Sequence, residues 1–178
     1  DTVLSTYQTG KSFSFPRVSP DGKKILLTVA DIGYFSILNA KSDLYFYDLE
    51  TGKLSELKNV NSNMADSYHD WSLTGKWFVF ASKRIDNLFS RPFFCYVDEN
   101  GETFKPFVLP QKDPLFYKSF TKNYNVPELI TDKIKLSAIQ MRDLVLHNSD
   151  TVKFDTTVDI DALSGATKIH ELMENIHN

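Results

Sequence analysis

Phe15-Pro-Arg-Val-Ser-Pro-Asp-Gly-Lys-Lys-Ile-Leu-Leu-Thr28 and His69-Asp-Trp-Ser-Leu-Thr-Gly-Lys-Trp-Phe-Val-Phe-Ala-Ser82 are two versions of one pattern. Ser19, Gly22 and Lys23 recur as Ser72, Gly75 and Lys76, 53 positions later. In Ser19-Pro-Asp-Gly22, Pro20 presets φ, Asp21 bonds nearby backbone and Gly22 supplies a left-handed residue, so the segment is a tight turn. A second pair of turns follows at a similar offset, Asp48-Leu-Glu-Thr-Gly52 and Asp98-Glu-Asn-Gly101.

Between the turns the chain reads as strands. Residues 23–30 form one. Asp43-Leu-Tyr-Phe-Tyr-Asp48 forms the next, with Leu44 and Phe46 on one face and Tyr45 and Tyr47 on the other. Residues 53–57 form a third, and residues 31–41 make an excursion too long for a hairpin. The second unit repeats the order over 76–82, 91–98 and 102–108, with Pro92 and Pro106 pushing their segments toward strand ends or edges. Strand-and-turn repeats of about 40–50 residues are the signature of propeller blades, which stack through large side chains. The expected fold is mainly β with an α/β tail: two blades over 1–110, part of a larger propeller, and a helical or mixed extension over 111–178. Two blades alone leave open sheet edges. The chain is therefore expected to associate, to aggregate, or to be covered by its own tail.

Composition narrows the function. Of 178 residues 42% are hydrophobic, enough for a packed core, and the net charge of -3 gives no bulk attraction to nucleic acid or an anionic membrane. No apolar run approaches the roughly 18–20 residues that cross a bilayer. The N-terminal residues carry no basic and apolar leader pattern, so a signal peptide is expected to be absent or already removed. Cys95 has no partner for an internal disulfide and, within Phe93-Phe-Cys-Tyr-Val97, reads as a small core hydrophobe.

From Pro110 the texture changes. Leu115, Phe116, Ser119 and Phe120 share one face of a short helix, and residues 125–128 open a turn or another helix. Ser137 is the N-cap of a helix over 138–147, with Ile139, Leu144 and Val145 toward a core. Residues 152–160 alternate weakly, as a strand does. Residues 168–177 are a terminal helix with Ile169, Leu172, Met173 and Ile176 in one stripe.

The two repeats resemble the PD40, or TolB-like, β-propeller repeat, over about residues 12–110. The first copy fits its aromatic–Ser-Pro-Asp-Gly-Lys–strand pattern closely; the second has Leu73-Thr74 in place of Pro-Asp. Leu109-Pro-Gln-Lys-Asp-Pro-Leu-Phe-Tyr117 and Tyr124-Asn-Val-Pro-Glu128 look like the C-terminal end of such propellers in Gram-negative envelope proteins. The resemblance implies an extracytoplasmic, periplasmic or envelope-associated docking surface without catalysis. Its partner would be an envelope protein or the remaining blades. A sugar- or peptide-binding propeller, with its site on other blades, is a weaker implication.

A second stretch, Asp161-Ala-Leu-Ser-Gly-Ala-Thr167, resembles the flavinylation motif, in which a transferase joins FMN through a phosphoester to the last hydroxyl. The resemblance implies a cofactor site of Asp161, Ser164, Gly165, Ala166 and Thr167, with FMN on Thr167. The Gly turn allows close approach, and a following helix N-terminus favours a phosphate. The alternative for Thr167 is a helix N-cap with no cofactor, and the two roles compete for one hydroxyl. Ile169 stands where the family often has another Ser or Thr.

Other readings are weaker. Gly10-Lys-Ser12 lacks the upstream Gly of a phosphate loop, and Ala162 replaces the first Gly of a hydrolase elbow at Ser164. His170 and His177 lie too far apart on one helix to share a metal. His69 reads as structural, Asp155, Asp159 and Asp161 as solvated charge, and Trp71 and Trp77 as blade packing.

Overall fold

A computed structural model describes residues 2–31, 33 and 35–147. The chain divides into two compact units, residues 1–132 and residues 133–178. The first unit holds two four-stranded antiparallel meanders in strict chain order. Sheet 1 comprises β1 (Ser12–Val18), β2 (Lys24–Ala30), β3 (Asp43–Asp48) and β4 (Leu54–Glu56). Sheet 2 comprises β5 (Asp66–Trp71), β6 (Trp77–Ser82), β7 (Arg91–Tyr96) and β8 (Phe107–Val108). Two consecutive meanders packed face against face have the architecture of neighbouring propeller blades.

The turns form as their residues dictate. Gly22 has φ 70° and donates to the Ser19 carbonyl at 2.8 Å, while the Asp21 carboxylate accepts from the Ser19 hydroxyl at 2.6 Å. In the second copy Thr74 stands in for Asp21, its hydroxyl 3.1 Å from that of Ser72. Asp48 and Asp98 each accept backbone N–H groups from their own turns. The sheets meet through Leu26, Leu44 and Phe46 of sheet 1 and Trp71, Phe78, Phe80, Phe93 and Cys95 of sheet 2, all buried. Phe46 stacks on Trp71 at 5.7 Å, and both contact the Phe78 ring.

β1 and β5 carry the same irregularity. Each has a register shift, between Ser14 and Arg17 and between Ser67 and Asp70. Within those bulges Phe15 and Tyr68 hold φ of 53° and 51°, a conformation rare for aromatic residues. Their rings meet edge to face at 4.8 Å. Strand 102–108 is shorter than expected. Pro106 supplies no N–H, and only Phe107–Val108 pair with β7, beside an isolated bridge between Val97 and Thr103.

A short helix, α1 (Thr6–Thr9), precedes β1, and the excursion at 31–41 contains a 3₁₀ turn, Ser36–Leu38. Further along, α2 (Phe116–Ser119) is the short helix expected there, whereas residues 125–128 form no helix. In the second unit α3 (Ala138–His147) begins after Ser137, whose hydroxyl accepts from the Gln140 N–H while Gln140 Oε1 accepts from the Ser137 N–H, a reciprocal cap. Ile139, Leu144 and Val145 are exposed rather than turned to a core. The proposed strand over 152–160 and helix over 168–177 lie outside the described residues. Among the described residues no helix is long and apolar enough to cross a membrane.

Candidate docking face

Register makes the two sheets comparable residue by residue. In sheet 1 Arg17, Leu26, Phe46 and Ser55 lie opposite one another in a row across the four strands. In sheet 2 the matching row is Asp70, Val79, Phe94 and Phe107. The first row packs on sheet 2. The second row points away from sheet 1, and its outer end is aromatic where sheet 1 has a serine. Phe107 is 46% exposed and Trp77, on the same face, 37% exposed. Phe94 and Phe107 stack at 5.9 Å, and Trp77 contacts both Phe107 and Tyr96. With Ser72, Leu109, Pro110 and Leu129, the Trp77, Phe94 and Phe107 rings line a groove of about 400 Å³. Exposed aromatic surface in a concave setting is what a partner can desolvate at low entropic cost.

The groove is bordered by a strap formed by the chain after β8. Arg91, fully buried, holds it. Its Nη1 donates to the Lys122 carbonyl at 2.6 Å and its Nη2 to the Phe120 carbonyl at 2.5 Å. Asp86 stands 3.5 Å from the guanidinium, and the Phe89, Tyr117 and Phe120 rings surround it within 5.0–5.4 Å. Ser90 donates from its N–H to Asn123 Oδ1 and from its hydroxyl to the Tyr124 carbonyl, and accepts from the Tyr124 N–H. The Leu129 N–H reaches Asp70 Oδ2 at 3.2 Å.

The remaining polar groups serve structure. Asp66, fully buried, accepts from Arg84 at 2.7 Å and from the Ser62 N–H and hydroxyl. His69 is buried against the Leu26 carbonyl at 3.0 Å, and burial pushes its pKa down to about 4. Nε2 donates to that carbonyl, and Nδ1 meets no hydrogen-bond donor among the described residues. Burial pushes the Cys95 thiol up to about 12, and Sγ donates to the Phe104 carbonyl, as suits a core residue. Asp43 is raised to about 6, by partial burial first and then by repulsion from Asp66 and Glu56.

Asp161, Ser164, Gly165, Ala166 and Thr167 lie outside the described residues, as do Asp155 and Asp159. Gly10 is the left-handed C-cap of a four-residue helix, Thr6–Thr9. Trp71 packs between the sheets as expected and donates to the Arg17 carbonyl. Trp77 instead belongs to the open face. Sequence reasoning treated the two tryptophans alike; the signal separating them is the strand alternation that puts Trp77 opposite Tyr96 and Trp71 opposite Phe78. Among the described residues no cluster of three or more His, Cys, Asp or Glu side chains is placed to hold a metal.

No family model and no curated protein matches the chain. A solved structure described as the β-propeller domain of the Trilobed protease from Pyrococcus furiosus, with an open velcro topology, is similar over 56% of this chain and 30% of that chain, at 22% identity and a TM-score of 0.38. The chain thus spans less than a third of that structure.

Proposed function

We propose that this protein is a non-catalytic docking module of the cell envelope, acting outside the cytoplasm, that binds a protein partner on the open face of sheet 2. The observation that carries this reading is Phe107. It occupies the row position filled by Ser55 in sheet 1, and no core requires an aromatic ring there. Together with Trp77 and Phe94 it forms an anchor cluster of the residue types that dominate binding energy when buried by a partner. Binding would rest on shape and desolvation, with no bond made or broken. Purified partner should lose affinity at least tenfold for Phe107→Ser and Trp77→Ser, a loss of about 1.4 kcal/mol or more, while Ser55→Ala leaves it unchanged. Equal affinity for all three variants would refute the reading.

A second reading rests on Asp161-Ala-Leu-Ser-Gly-Ala-Thr167. Here Thr167 carries FMN as a phosphoester, the flavin supplies redox chemistry and the protein supplies placement. Intact mass of protein from its native envelope tests it. A gain of one FMN less one water, lost in Thr167→Ala, supports the carrier; an unmodified mass removes it.

A further inference from the structure

We propose that residues 124–129 occupy the place of a third inner strand and so cap the sheet stack, confining the docking face to its outer half. The inference rests on the docking reading above and adds what limits the partner. Ser42 precedes β3 as Ser90 precedes β7. The Ser42 carbonyl accepts from the N–H of Asp66, the first residue of the next sheet's inner strand, at 2.8 Å. The Ser90 carbonyl accepts from the N–H of Tyr124 at 3.1 Å. Tyr124 therefore stands to sheet 2 as Asp66 stands to sheet 1.

The far end joins matching positions through different atoms. Trp71, the last residue of that inner strand, donates from its indole to the backbone of Arg17. Leu129 donates from its backbone to Asp70, which holds in sheet 2 the position that Arg17 holds in sheet 1. Asp66 and Tyr124 are 58 positions apart, and so are Trp71 and Leu129. Two anchors at one offset place the segment along the path of an inner strand. Val126 and Pro127 lie between them, and Pro127 offers no N–H to a neighbouring strand. Among the described residues no further strand follows this segment, so the outer strands that a third sheet would add are not found there. Such strands would lie over Phe94 and Phe107, and that is where the rings are exposed.

The cap thus excludes a complete four-stranded sheet, including one from a second copy, and admits a narrow apolar segment of a partner protein. Capping of this kind is how a stacked array ends without presenting a full interface. Two variants of the full chain release it: Tyr124→Pro, which removes the N–H donated to Ser90, and Asp70→Ala, which removes the Leu129 anchor. Hydrogen exchange, light scattering and binding of a hydrophobic dye read the result. In the unaltered protein the Tyr124 and Leu129 amides are expected to be protected. Each variant should lose that protection, bind several-fold more dye and self-associate, and adding Phe107→Ser should reverse the association. Unprotected Tyr124 and Leu129 amides in the unaltered protein would overturn the cap even if Tyr124→Pro failed to fold. Release without added dye binding or association would overturn it equally. Loss of partner binding by Phe107→Ser is a separate measurement, so cap and docking face fail independently.

Discussion

The row Arg17–Leu26–Phe46–Ser55 and the row Asp70–Val79–Phe94–Phe107 occupy the same places in two sheets of the same topology, yet they meet different surroundings. The first is closed over by a neighbouring sheet, and it ends in a polar residue where that cover runs out. Among the described residues the second has a strap over its inner part, and it ends in an aromatic ring. Residues that a repeat makes equivalent in backbone need not be equivalent in energy. Leu26 and Phe46 are buried and hold the fold, whereas Phe107 is 46% exposed and adds little to it.

Substitution at matching positions tests that difference most strongly. Phe46→Ala empties a site lined by Trp71 and Phe78 and should cost about 3–5 kcal/mol in urea unfolding. Phe107→Ala should cost less than about 1 kcal/mol. Equal costs would make the second row core as well. Next in size is Arg91→Ala, which strands two carbonyls of the strap and should cost about 2–4 kcal/mol, with proteolysis shifting to residues 117–124. An unchanged cleavage pattern would remove Arg91 as the strap's anchor.

A smaller effect concerns pH, and it separates Asp43 from Arg91, its counterpart in β7. With a folded pKa near 6 against an ordinary 3.8, Asp43 binds its proton more tightly when folded. Its contribution is therefore favourable at low pH and is lost as pH rises from about 4 to 6. His69, lowered from 6.5 to about 4, acts oppositely, and its contribution is lost as pH falls through the same range. Asp43→Asn should raise the urea midpoint at pH 7 and steepen the loss of stability between pH 6.5 and 4. A parallel pH profile would show that Asp43 is not perturbed. Smaller still, Cys95 should stay unreactive to a thiol reagent until the sheets unfold; labelling of the native protein would contradict its burial.

Much of this architecture was legible in the residues. β2, β3 and β6 stand out because apolar and aromatic runs sit between turns of known chemistry, and the 53-residue offset ties them into two units. β1 and β5 were harder to see. They carry the polar residues Ser14, Arg17, Asp66, Ser67, His69 and Asp70, with Pro16 among them, a set that reads as loop until partners are supplied. Thr28 and Ser36 reach the Ser67 hydroxyl at 2.9 and 2.6 Å, and Arg84 meets Asp66, so burial of these groups costs little. The bulges at Phe15 and Tyr68 leave no compositional trace. The docking face was half visible. Aromatic content announced stacked sheets, but only register shows that Phe107 stands where Ser55 stands. The strap was missed because a single-residue pairing at Ser90 and a buried arginine at a strand end leave no periodicity.

On the proposed function the open row of sheet 2 is a binding surface and its counterpart in sheet 1 is not. A photo-crosslinking residue placed at position 107, and separately at position 55, in otherwise unaltered protein in its native cells tests it directly. One discrete crosslinked protein is expected from position 107, none from position 55, and loss of the product with Trp77→Ser. Equal products from both positions, or none from position 107, would contradict it.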